Sequence, residues 1–212
     1  KNLWATAGTF TRGTSTLKMT GAGKSLNYLS GEELGHLLID NSSGTVTANG
    51  IGSFTDATCD YNNDPTIVHD ANANIIAGLT VSGPGIPTGA TIASITDSTH
   101  FELSAATTGG NVTNGTLAFA DNLTVSSLKV NDSSASFTAP SGTLTIDGEA
   151  STYAIDIDGV YVHSSGTVTL AANTSTNLDL LPSSGTGLNN LTITNGINYP
   201  QTATTLAGTL TI

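Results

Sequence analysis

The chain has 212 residues and a mass of 21.3 kDa, only 10% of its residues are charged, and its formal net charge is −11 with an isoelectric point near 4.3. That acidity excludes a nucleic-acid backbone binder, which needs clustered Lys and Arg to displace counterions. No apolar run reaches the roughly 18 residues of a membrane-spanning helix, so no membrane span is expected.

The length suits one substantial domain or two small ones. Threonine outnumbers every other residue type, glycine, serine and asparagine are abundant, and the strong helix formers Lys, Glu, Arg and Met are scarce. Such a composition favours short strands joined by Gly and Asn turns, an all-β protein. Cys59 stands alone, so no internal disulfide is available. The chain opens at Lys1 with no initiator Met and no signal peptide, which reads as a processed product or an excised fragment.

In chain order, the first strand pattern is TLKMT at 16–20, followed by GAGKS at 21–25. The latter imitates the end of a phosphate-binding loop, but that motif requires Gly where this chain has Lys18, and a helix must follow. TGAG therefore reads as a turn after a strand. Next comes SLNYLSGEELGHLLI, the one stretch whose leucines approach helical spacing. Gly31 and Gly35 interrupt it, leaving a short helix and a looped coil as equal readings.

A phrase then recurs in which a small residue and Gly-Thr precede an alternating strand: SSGTVTA at 42–48, PSGTLTI at 140–146, SSGTVTL at 164–170 and AGTLTI at 207–212. Its later glycines, Gly142, Gly166, Gly185 and Gly208, lie 19 to 24 positions apart, the period of a solenoid coil. LKVNDSSASFTAPSGTLTIDG and YAIDIDGVYVHSSGTVTL each carry more than one alternating strand, and stacking them buries a ladder of Val, Ile and Leu. Gly44 and Gly142 lie 98 positions apart, but residues 51–121 change character, and removing them leaves about one coil. The expected fold is a short parallel β-solenoid, residues 1–50 and 122–212, with an inserted antiparallel β-meander, residues 51–121. A β-sandwich or jelly roll is the alternative. Within the insertion, FTDATCDYNNDPTIVHDANAN reads as irregular, and strands are expected near 79–82, 91–95, 101–103 and 116–119.

The chemistry-bearing residues are few. Asp60, Asn62 and Asp64 alternate like the start of a calcium loop, but Pro65 and Ala71 stand where an EF-hand needs Gly and Glu. The remaining calcium candidates are Asp56, Asp60, Asp64 and Asp70, and no other cofactor is expected. Asp156 and Asp158 share one strand face, with Asp147 on a neighbouring segment, and a carboxylate pair is what glycoside hydrolysis requires. No basic residue is near them in sequence, and alternation alone puts them on the solvent side. His36, His69, His100 and His163 form no ligand-spaced pair. Lys18 and Lys24 are candidates for pairing with the acidic surface of a neighbour. TLAGTLTI keeps its strand pattern through Leu210 and Ile212 with no polar cap, so those two are candidate assembly residues.

The segment GLTVSGPGIPTGATIASITDSTHFELSAAT resembles a module of bacteriophage structural proteins, and SGTLTIDG, SSGTVTL and LAGTLTI resemble the repeats of phage fibres and of secreted bacterial β-helical adhesins. The resemblance implies a non-enzymatic structural protein at a virion surface, in a fibre, appendage or capsid decoration. It implies self-association or contact with neighbouring structural subunits and host-surface glycans. A secreted adhesin or filament subunit is the alternative, and a carbohydrate-active β-helix enzyme a weaker one. The resemblance carries over no catalytic residue.

Overall fold

The structure is a computed structural model that describes residues 14–28, 33–50, 52–148, 153–171, 176–179, 184–185, 187–194, 198–200 and 206–211. The described residues form strands and turns, with no helix among them. Three stacks of parallel strands build the solenoid. The first holds Thr143–Ile146, Thr167–Leu170, Asn190–Ile193 and Leu210–Thr211. The second holds Thr16–Met19, Tyr153–Ile157, Thr176–Asp179 and Asn198–Pro200. Two long strands, Glu33–Ile39 and Leu123–Val130, run through both of these stacks. The third stack is Lys24–Asn27, Gly44–Asn49, Ala135–Thr138, Val160–Val162 and Ser184–Gly185.

Alternation explains these strands. In Thr143–Ile146 and Thr167–Leu170 the apolar residues turn inward and the threonines outward, and register places Leu144 on Val168 and Ile146 on Leu170. Each buried Leu, Ile or Val contributes about 1.5–3 kcal/mol by leaving water. The third stack supplies the large rings: Phe137 sits in register with Val46 and Tyr161, and its ring centroid is 6.2 Å from that of Tyr161.

The repeated glycine marks where backbones of adjacent coils meet. A Cβ on Gly166 would lie 2.5 Å from the Gly142 carbonyl oxygen, and one on Gly142 would lie 2.2 Å from the Asp121 carbonyl oxygen. Only a residue without a side chain fits this approach, and the coils are joined there by Gly142 N–H to Asp121 O at 3.0 Å and Thr167 N–H to Gly142 O at 2.9 Å.

The stretch read as a helix or looped coil is strand: Lys24–Asn27 lies in the third stack and Glu33–Ile39 crosses the first two, while Gly31 falls outside the described residues. A corner produces the helical spacing. Buried Leu34 is followed by buried Leu37 and Ile39, just as Val125 is followed by Leu128 and Val130, because the inward phase slips by one residue between two stacks. TGAG is the expected turn: the strand ends at Met19, Gly21 and Gly23 take positive φ, and a strand resumes at Lys24.

Between Asn49 and Leu123 the chain builds a six-stranded antiparallel sheet in the order Thr80–Ser82, Asn111–Ala120, Phe54–Asn62, Thr66–Val68, His100–Leu103, Ile92–Asp97. The sheet curls until its ends meet, through Val81 N–H to Ala90 O and Ile92 N–H to Leu79 O, both 2.9 Å. The segment expected to be irregular contains two of these strands. Its aspartates concealed the pattern, because Cys59 and Tyr61 point inward and Asp56 finds partners of its own. The barrel core gathers Cys59, Ile67, Leu79, Phe101, Leu117 and Phe119, whereas the solenoid core draws on residues 19–48 and 123–191. Across the insertion the solenoid register resumes: the contact of His36 with Ser127 spans 91 positions.

Candidate functional site

Two residues join the barrel to the solenoid. Asp121 follows the strand Asn111–Ala120 and is 1% exposed, and its carboxylate accepts Tyr28 O–H at 2.6 Å, Ser141 O–H at 2.7 Å and Ser141 N–H at 3.2 Å. Burial first, and then the Asp121 charge and hydrogen bond, push the Tyr28 phenol well above its ordinary range, so the phenol remains a donor. Asn122 faces both ways. Its Oδ1 accepts Thr143 N–H of the next coil at 2.9 Å, and its Nδ2 donates to Gly78 O of the barrel at 2.9 Å. Gly50 closes the other side, where a Cβ would stand 2.4 Å from Asp121 Oδ2. Asp121, Asn122 and Tyr28 were not among the sequence candidates. The available signal was an Asp-Asn pair between two strand patterns.

A second polar group braces the outer side of the second stack. Lys129 on Leu123–Val130 is in register with Asp156 on Tyr153–Ile157, pairs with that carboxylate, and lies 3.8 Å from Asp158. The carboxylate pair flagged for catalysis therefore shares an ammonium from the neighbouring coil, which a separation of 27 positions hid. This arrangement clamps two coils. Asp147 follows the strand Thr143–Ile146, its amide bonded to Val125 O at 3.1 Å.

Lys18, a candidate for contact with a neighbour, pairs within the chain with Asp40, which also accepts Asn131 Nδ2–H at 3.2 Å. These hydrogen bonds, that of Lys18 first, hold the Asp40 carboxyl below its usual range. Lys24 is half-buried at the start of a third-stack strand, Leu210 is 49% exposed, and Ile212 falls outside the described residues.

The barrel aspartates are engaged separately. Asp56 Oδ1 accepts Thr58 N–H at 2.9 Å and Thr58 O–H at 2.6 Å, and Oδ2 accepts Asn72 Nδ2–H at 3.1 Å. Burial opposes ionisation, but these bonds, with His69 nearby, leave the Asp56 carboxyl below its ordinary range. Asp60 Oδ1 accepts Asn114 N–H at 2.6 Å, Asp64 Oδ1 accepts Thr66 N–H at 3.0 Å, and Asp70 is exposed. Among the described residues no three His, Cys, Asp or Glu side chains gather as a metal site.

His69 is buried against Phe101, with ring centroids 5.3 Å apart, and its Nδ1 contacts Asp70 O at 2.5 Å. It lines a cavity of about 390 Å³ together with Asn72, Ile75, Ile95 and Asp97. His100 and Asp97 form a separate exposed pair at 2.9 Å, His36 contacts Ser127, and His163 Nδ1 accepts Ser165 N–H at 2.8 Å. The histidines thus serve four local roles. No protein-family model, curated protein or solved structure matches the chain.

Proposed function

We propose that this chain is a non-enzymatic structural protein of a virion surface, a segment of a fibre, appendage or capsid decoration, acting through self-association and contact with neighbouring subunits or host glycans. The observation that carries the reading is the mount. A one-dimensional stack of coils carries a closed barrel in mid-coil, and Asp121 and Asn122 bind the exit of that barrel to both coil and barrel. Such a build suits a stiff shaft that displays a side module. Sequence resemblance to phage fibres supports it, as does a surface of Thr, Ser and Asn with few charges.

Negative-stain microscopy with sedimentation analysis tests the proposal. Elongated multimers bearing regular lateral knobs are expected. Compact monomers at every concentration, with depolymerisation of a bacterial polysaccharide that an Asp156→Asn substitution abolishes, would replace it with the enzymatic reading.

A further inference from the structure

The outer side of the first stack differs from the rest of the molecule. Register aligns Thr124, Thr145, Thr169, Thr192 and Thr211 in one column, a threonine on each of five successive coils. Two positions earlier along the strands, Thr143 and Thr167 align in a second column that continues to Asn190. Neither column contains a charged residue above Glu33, which pairs with Thr124, although the chain as a whole carries −11. The second stack, by contrast, bears Lys18, Lys129, Asp156 and Asp179 on its outer side.

Parallel strands set neighbouring threonines of a column about 4.8 Å apart, and the two columns about 6.6 Å apart, two residues along an extended strand. Both repeats are close to the two axial repeats of hexagonal ice. Threonine is β-branched and restricted about χ1, so holding its hydroxyl and methyl against a partner costs little entropy. The coils are tied together along the second column: the Asn122 and Asn190 side chains accept the Thr143 and Thr209 amides of the next coil at 2.9 and 2.8 Å, and the glycines bring the backbones together. A charged face holds water in the field of its ions. An uncharged, regularly spaced face of hydroxyls and methyls suits a neutral partner with the same repeat.

We propose that the threonine face of the first stack binds ice, ordering a layer of water that matches the crystal. The inference goes beyond the structural role proposed above and rests on the stack alone. The test uses the full chain, fluorescently labelled at Lys residues, with two variants: Thr169→Tyr at the centre of the array, and Thr138→Tyr on the outer side of the third stack as control. Circular dichroism checks that both variants keep the fold. Incorporation into a growing ice hemisphere and inhibition of ice recrystallisation are measured.

The expected result is that the parent and the Thr138→Tyr variant enter the ice and slow recrystallisation, while folded Thr169→Tyr protein loses both effects. Exclusion of the parent from ice would overturn the proposal. So would equal behaviour of the two variants, or a parent that ignores ice and binds insoluble cellulose or chitin instead. Should Thr169→Tyr misfold, Thr169→Ser replaces it: loss of the methyl with retention of the hydroxyl weakens ice incorporation if the array is the site, and an unchanged result overturns it.

Discussion

The solenoid and the barrel solve the same problem, burying narrow strands, in opposite ways. In the solenoid each strand is covered by its counterpart one coil away, so contacts repeat and the core is a ladder of similar side chains, such as Leu144 on Val168 and Val168 on Leu191. In the barrel six antiparallel strands close on one another around unlike residues, with Phe119 stacked on Phe54 at 4.9 Å and edge-on to Phe101 at 6.0 Å. The first core should unfold as a sum of neighbour contacts and the second as one cooperative unit. Cys59 makes the contrast measurable: it is the chain's only cysteine, fully buried in the barrel, and burial, with the Asp56 and Asp60 charges, pushes its thiol up to about 12. It should react with thiol reagents only when the barrel opens.

The largest effect should come from Phe119→Ala, which costs about 3–5 kcal/mol and exposes Cys59 while the solenoid keeps its circular dichroism. Phe137→Ala in the third stack should cost a similar amount and leave Cys59 protected. If both variants accelerate thiol labelling equally, the two regions form a single cooperative unit. Gly142→Ala strikes the mount, since its Cβ would meet Asp121 O at 2.2 Å. A loss of about 1–3 kcal/mol is expected, with earlier melting of the solenoid and faster Cys59 labelling together. Tyr28→Phe removes one donor from the buried Asp121 carboxylate and should cost about 1–3 kcal/mol, read in denaturant melts.

Smaller effects separate the two surfaces. Lys129→Met breaks a pair whose lysine side chain is 40% exposed, so the change should stay within about 1 kcal/mol and shrink in high salt. Asp97, on the barrel, is held at about 2 by Thr99 N–H first and then by His100 and the Thr99 hydroxyl. Its folded value lies below the ordinary 3.8, so the stability it contributes is fully present above that value and is lost as pH falls toward about 2. Asp97→Asn should flatten the acid dependence of Cys59 labelling between those limits and leave solenoid melting unchanged.

Much of the solenoid was legible because its rules are local. The Gly-Thr phrase announces the coil, since the glycine lies where one backbone meets the last and the threonine opens an alternating strand. The inserted segment showed itself as a break in that period. What misled was also local: Leu34 and Leu37 mimic a helix because a corner shifts the alternation by one. Asp56 and Asp60 disguised the first barrel strand, because nothing nearby in sequence announced Asn72 or Asn114 as their partners.

The sequence by itself determined the coil and its inward residues, because strand alternation and close backbone approach are properties of a few adjacent positions. The tertiary structure alone decided which polar groups meet. Tyr28 reaches Asp121 across 93 positions and Lys129 reaches Asp156 across 27. No short-range pattern encodes such pairs, because only stacking the coils and closing the barrel brings those side chains within hydrogen-bonding distance.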